Sequence, residues 1–141
     1  MLQRVLLLAS AALCFAFLSL AQKRGGGELS LPPTSPTSGP QMFQAYCADC
    51  HGRDAKGGGP LVAVLKVAPP DLTTLAKRNQ GKFPVEHVSR TIGGPSANAA
   101  HGSREMPIWG PVFRNMDKGH KGSAEVRIKT LTSYIASLQV R

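Results

Sequence analysis

Cys47-Ala48-Asp49-Cys50-His51 constrains this chain more than any other stretch. Two thiols separated by two residues, with an imidazole directly after the second, are the pattern of a covalent c-type haem attachment site. Each thiol adds across one vinyl group of the porphyrin, and the two thioethers hold the macrocycle permanently. The helical turn set by the spacing places His51 under the iron as its proximal ligand. Two other chemistries use a Cys-x-x-Cys pair. A zinc site needs about four ligands, usually from two such pairs, and the chain has no second pair. A thioredoxin-like dithiol belongs in a strand–helix setting, and no strand pattern precedes Cys47.

A second candidate ligand stands downstream. Pro107 pushes Met106 out of helical geometry into an extended loop, from which a thioether can reach across the open face of a haem. A soft sulfur suits low-spin iron, and a Met/His pair raises the potential relative to two nitrogen ligands. Methionines without such a context are core filler, which is the reading for Met42 and Met116. His101 is the main rival for the sixth position, with His87 and His120 behind it. The triple glycine Gly57-Gly58-Gly59 looks like a phosphate-binding loop, but it lacks the preceding strand and the Gly-Lys-Ser/Thr ending. Here glycine lets the backbone wrap closely around a haem edge.

These residues resemble the class I cytochromes c, small monohaem electron carriers, over about residues 39–138. Gly39, Phe43 and Cys47–His51 match that family's first helix and haem motif. Gly59-Pro60 matches the Gly-Pro after its histidine, Met106-Pro107 its sixth-ligand loop, and the stretch around Tyr134 its last helix. Pro69-Pro70-Asp71-Leu72 is similar to bacterial periplasmic cytochromes and to the c-type domains of respiratory complexes. The resemblance implies an all-α fold of four to five helices around one covalently attached haem c, without a sheet. It implies Cys47, Cys50, His51 and Met106 as the cofactor-binding residues, with His51 and Met106 as the iron ligands. It also implies that the Pro60 carbonyl accepts a hydrogen bond from the far nitrogen of His51, and that the last helix crosses the first near Gly39 and Phe43.

The function implied is one-electron transfer by Fe(II)/Fe(III) cycling, in a monomer rather than an enzyme, because two filled axial positions leave none for a substrate. Its partners would be redox proteins: a quinol- or substrate-oxidising donor and a terminal oxidase or reductase acceptor. Two other functions stay open. One is a cytochrome subunit permanently assembled in a dehydrogenase or oxidase complex. The other is a ligand-binding or peroxidatic haem protein, which needs Met106 to be off the iron.

Residues 1–21 read as a secretory signal, with Arg4 as the positive n-region, Val5–Leu20 as the apolar run and Ser19-Leu20-Ala21 as the cleavage site. The rival reading is an uncleaved anchor, since the run approaches the ~17 residues that span a bilayer. Lys23 and Arg24 on the exported side argue against it. A lipid on Cys14 is disfavoured by bulky Leu13. Export and covalent haem attachment support each other, because in the resembled families the attachment happens outside the bacterial cytoplasm; the periplasm is the expected location. Residues 22–38, rich in Gly, Pro, Ser and Thr, read as a flexible linker that cannot bury enough surface to order itself. The cytochrome domain is then 39–141.

The formal charge of the chain is +9, and it falls to +8 once Arg4 leaves with the leader. Such a charge favours acidic partners or membrane surfaces. Nucleic acid is excluded as a partner, since the chain is exported and its basic residues are not interleaved with aromatics. Lysines near the haem edge, Lys56 first, would steer docking to an acidic surface.

Helical signals complete the reading. Ser38 or Gly39 caps a first helix with Pro40 in its first turn. Asp71 caps a second helix from about Leu72 to Asn79, stopped by Gly81. Pro84 opens a third with Val85, Val88 and Ile92 at helical spacing, ended by Gly93-Gly94-Pro95. Residues 96–104 and 118–122 read as polar loops, and Ser123 as the cap of the final helix. That helix carries one apolar stripe of Ile128, Leu131, Ile135 and Leu138, with Tyr134 beside it. Trp109 and Phe113 pack on the haem or against the first helix.

Overall fold

The computed structural model describes residues 31–94, 106–116 and 122–140. The chain divides into Met1–Pro32 and Pro33–Arg141, and the architecture below belongs to the second unit. Among the described residues there are six α-helices and no strand. They are α1 Gly39–Tyr46, α2 Ala48–His51, α3 Leu75–Arg78, α4 Val85–Gly93, α5 Trp109–Met116 and α6 Ser123–Ser137, with 3-10 turns at Pro60–Val64 and Leu72–Thr74. The all-α class expected from the sequence is the one that forms. The helix count exceeds four or five because α2 and α3 are single turns of four residues.

Helix α1 starts where the sequence says it should. Ser38 is extended, and its side chain accepts a hydrogen bond from the Gln41 N–H at 3.4 Å. Proline stands in the first turn, where its missing N–H leaves nothing unsatisfied. Met42, Phe43 and Tyr46 then fall on one face, and all three are buried. The face they meet is that of α6. There Leu131 and Ile135 are buried and Ile128 and Leu138 half-buried, as the apolar stripe requires. Helix α6 begins at Ser123 without a side-chain cap; left-handed Gly122 is its N-cap, not Ser123.

The crossing of α1 and α6 works because Gly39 has no side chain. A Cβ there would lie 2.5 Å from Tyr134 Cβ and 3.1 Å from the Thr130 carbonyl. One turn on, the Phe43 and Tyr134 rings meet at 5.5 Å and 58°, a tilted geometry that aromatic pairs favour. Helix α5 packs against the end of α1. The Tyr46 ring is 5.4 Å from Trp109 and 5.8 Å from Phe113, and Trp109 stacks on Phe113 at 5.6 Å. Of the two surfaces expected for Trp109 and Phe113, the first helix is therefore one. Helix α4 buries Val88 and Ile92, while Val85, on the same helical stripe, is exposed.

The second helix expected over Leu72–Asn79 is instead two pieces. Asp71 Oδ1 accepts from both the N–H (2.8 Å) and the hydroxyl (2.6 Å) of Thr73. Thr74, at φ −110 and ψ 12, then interrupts the helical run before α3. The C-terminus secures this region. The Gln139 side chain accepts from Ala76 N–H and donates to the Leu72 and Ile135 carbonyls, and Val140 N–H donates to Thr73 O at 2.9 Å.

Part of the segment read as linker is held on the domain. The Thr34 hydroxyl bonds the Tyr46 hydroxyl at 2.8 Å, and Arg127 of α6 donates to the Thr34 hydroxyl (2.9 Å) and carbonyl (3.0 Å). Ser35 N–H donates to the Gln41 side chain at 2.9 Å. The leader and residues 22–30 lie outside the described residues.

Candidate haem-binding site

Helix α1 stops at Cys47, and the chain turns there (φ −117, ψ −32) to restart as the single turn α2. Cys47 O accepts from Cys50 N at 3.2 Å and from His51 N at 2.8 Å, while Gly52 N closes on Ala48 O at 2.8 Å. One hydrogen-bonded turn thus carries both thiols and the imidazole. Local spacing alone accomplishes this, because residues three and four apart share a face.

The last carbonyls of such a turn need donors, and the loop from Gly52 to Gly59 folds back to supply them. Gly57 N–H donates to His51 O at 2.7 Å, and Gly59 N–H to Cys50 O at 3.1 Å. Both positions demand glycine. A Cβ on Gly59 would overlap the backbone of Asp49 and Cys50, and one on Gly57, at φ +87, would overlap the Pro69 carbonyl. The same contact brings Pro69-Pro70 to this loop, where Leu72 N–H donates to Ala55 O at 2.8 Å. Wrapping backbone around the motif is therefore what the triple glycine does.

The electrostatics separate the rival uses of a Cys-x-x-Cys. Burial first, and the neighbouring Cys50 second, push the Cys47 thiol up to about 12. A redox dithiol needs its attacking thiol lowered, not raised. Among the described residues no three or more His, Cys, Asp and Glu side chains come together as a metal-binding cluster, which is what a zinc site needs. Cys47 and Cys50 are both free thiols, each half-exposed.

His51 is 9 % exposed, and burial holds its imidazole below the ordinary range, so the neutral, ligating form prevails. Its Nδ1 is buried without a hydrogen-bond partner. The backbone of Pro70 acts on the ring in the opposite, charge-favouring sense, without closing a bond to Nδ1. This corrects the expectation for Pro60. Pro60 opens the 3-10 turn beside α2, and the backbone group set against the imidazole is that of Pro70. Pro69 lies against Gly57, whose N–H bonds the His51 carbonyl, and this holds the Pro69-Pro70 segment beside the motif.

Met106 is half-buried in the non-helical stretch that leads into α5, followed by exposed Pro107 and Ile108 and buried Trp109. Trp109 in turn touches Tyr46, the residue before Cys47. Of the rival ligands, His87 is exposed on α4, and its carbonyl accepts from Thr91. His101 and His120 lie outside the described residues.

These residues fit a covalent haem. Two thiols and a buried neutral imidazole share one turn, and glycine keeps the following backbone tight against it. The 3-10 turn Pro60–Val64 lies along α2 and buries none of its side chains, leaving Leu61 and Val64 as an apolar ledge. A large apolar macrocycle is suited to such surfaces.

Sequence reasoning missed two residues around this site. Gln139 fastens the segment after Pro70, and no local pattern announces it. Arg127 carried a readable signal, since it falls four residues before Leu131 on the buried stripe of α6. No curated protein and no solved structure matches the chain. The Cytochrome c family model matches residues 37–139. That span takes in every helix described above, so this chain belongs to the cytochrome c family, whose covalently bound haem c requires the Cys-x-x-Cys-His motif that Cys47 and Cys50 fit.

Proposed function

We propose that the protein is an exported one-electron carrier whose haem is held by thioethers at Cys47 and Cys50 and ligated by His51 and Met106. The observation that carries this reading is His51: a buried, neutral imidazole on the same turn as two free thiols, with Nδ1 unsatisfied. Haem supplies reversible Fe(II)/Fe(III) cycling, and the chain supplies everything that shapes it. The thioethers keep the cofactor attached in both oxidation states. The ring of His51 is held by burial, and an acceptor for its second nitrogen would strengthen it as a metal ligand. Met106 would be the second iron ligand beside His51, and with no ligand position left for a substrate the group would supply electron exchange alone. Apolar packing and the thioether favour the less charged ferrous form.

Cytochrome c domains typically work outside the cytoplasm, and the leader directs this one to the periplasm. Among the described residues no helix is long and apolar enough to cross a membrane. The donor is a quinol- or substrate-oxidising protein and the acceptor a terminal oxidase or reductase. The +9 chain charge and exposed Lys56 beside the glycine loop suit an acidic docking surface.

The test is optical. The oxidised protein should show the weak near-infrared sulfur-to-iron band and bind no carbon monoxide when reduced. Met106→Ala should abolish the band and open the iron to carbon monoxide. If Met106→Ala keeps a six-coordinate spectrum and His101→Ala does not, His101 is the ligand and this assignment fails.

A further inference from the structure

Helix α2 is a single turn of four residues, too short to sustain itself. The place of His51 is therefore set by whatever bonds the end of that turn, and a chain of hydrogen bonds leads from there to α6. Gly57 N–H donates to His51 O at 2.7 Å, Ala55 N–H to Gly52 O at 3.0 Å, and Leu72 N–H to Ala55 O at 2.8 Å. The Leu72 carbonyl in turn accepts from the Gln139 side chain at 2.7 Å. Ala55 is fully buried and left-handed at φ 62, a conformation that costs any residue with a Cβ. Such a residue persists only where its surroundings over-determine it, and Leu72 N–H holds this one from outside the loop.

Gln139 lies past the end of α6 and is half-buried. An amide side chain offers one acceptor oxygen and two donor protons, and all are engaged. The oxygen accepts from Ala76 N–H at 2.8 Å, and the nitrogen donates to Ile135 O at 2.8 Å as well as to Leu72 O. Asp71 shapes the same segment only locally, by bonding Thr73 two residues on. Gln139 ties that segment to the last helix and so fixes where it sits. Pro69, within the segment, lies against Gly57.

We propose that Gln139 is a positioning residue for His51. It fixes Leu72, Leu72 fixes the left-handed turn at Ala55, and that turn fixes the loop that bonds the histidine's carbonyl. The inference rests on the carrier reading above, since the placement of His51 matters to function through the haem. A ligand must be held to about 0.5 Å of its working geometry by groups that are themselves fixed. Here the fixing reaches from α6 to the motif through three backbone hydrogen bonds and one side chain.

The experiment is amide hydrogen exchange of the purified holoprotein, read residue by residue by NMR, together with the haem-methyl resonances of its ferric form. In wild type the Ala55, Gly57 and Leu72 amides should share one protection factor, because one local opening releases all three. Gln139→Met matches the side chain's length without its hydrogen bonds. It should speed exchange at those three amides about tenfold and shift the haem-methyl resonances, which report how the axial imidazole is oriented. Cys47 N–H, bonded to Phe43 O at 2.9 Å, should keep its wild-type rate. Gln139→Glu keeps the acceptor for Ala76 and loses both donors, so it should behave like Gln139→Met and decides the matter if that variant fails to take up haem. Should neither variant load, the wild-type protection factors decide, equal ones upholding the proposal and unequal ones overturning it. Equal acceleration at Cys47 would show that Gln139 serves the stability of the whole fold, and it overturns the proposal. Faster loop amides with unmoved haem-methyl resonances overturn it too. None of these outcomes touches the carrier reading, which falls instead if wild type lacks its sulfur-to-iron band.

Discussion

The α1–α6 crossing and the loop from Gly52 to Pro60 both depend on close backbone approach, yet an intrusion would displace different parts of the molecule in each. At the crossing, a side chain on Gly39 would meet Tyr134 Cβ at 2.5 Å and the Thr130 carbonyl at 3.1 Å, atoms fixed to the α6 backbone, so one helix would have to move off the other. In the loop, a side chain on Gly59 would meet the backbone of Asp49 and Cys50, between and including the residues that carry the thiols. Obstruction at the crossing separates two helices and costs stability, whereas obstruction in the loop moves the site. The frame of this protein is thus a packed helix pair, and its haem motif sits in a setting where backbone fixes backbone.

The largest expected effect tests that contrast directly. Gly59→Ala should reduce covalent haem per polypeptide at least tenfold, because the turn must open before the loop can close on Cys50. Gly58→Ala, whose Cβ would meet nothing within 4 Å, should load haem like wild type. Haem content by pyridine haemochrome against total protein reads both. Equal loading of the two variants would remove the distinction between frame and site.

Changes in the frame should behave the other way, keeping haem while losing stability. Leu131 is fully buried on α6, so Leu131→Ala should cost about 2–5 kcal/mol in a urea titration of the holoprotein. Gly39→Ala should cost about 1–3 kcal/mol, as overpacking does. Exposed Val126→Ala, on the same helix, should stay within about 0.5 kcal/mol. A Leu131→Ala protein with normal stability but depleted haem would show that the crossing serves attachment, contrary to the comparison above.

How far the sequence anticipates the molecule follows the same division. Cys47–His51, the Ser38 cap and the α6 stripe are legible because each rests on local spacing or on a residue type with a single conformational use, whereas the crossing at Gly39 is expected only from the family resemblance. The interrupted helix after Asp71 is not legible, since Asp and Thr two apart suit either a cap or a turn, and hydrogen-bond geometry decides. The backbone that acts on His51 is illegible for a different reason. Pro60 and Pro70 both follow the motif, and only the fold of the glycine loop, with Pro69 pressed on Gly57, selects between them. Arg127 shows a third kind of limit. Its place on the stripe is visible in the sequence, but the segment that makes its burial tolerable, around Thr34, lies 93 residues earlier.

The smallest effect concerns the seam between site and frame, at Asp71. Its carboxyl is held below the usual 3.8 chiefly by the Thr73 hydroxyl; partial desolvation opposes this, and the Thr73 N–H and the charges of Lys56 and Arg78 reinforce it. A depressed folded value means that the carboxylate stabilises the fold. The contribution is fully present above the unfolded value and is lost as pH falls through the lower folded one. Wild type should therefore exceed Asp71→Asn in urea midpoint by a constant margin at neutral pH, and the margin should shrink as the solution is acidified below 3.8. Salt separates the causes. The lysine and arginine act from a distance on a half-exposed group, where screening leaves little of their effect, whereas the hydroxyl is in direct contact at 2.6 Å. Most of the margin should therefore survive high salt. Because Asp71 directly follows Pro70, whose backbone acts on His51, the same titration can be read at the haem. If Asp71 only caps the turn, the haem spectrum of Asp71→Asn will not change across the pH series. If it changes in step with stability, the Pro70 segment depends on Asp71, and the haem site extends further into the frame than the glycine loop alone implies.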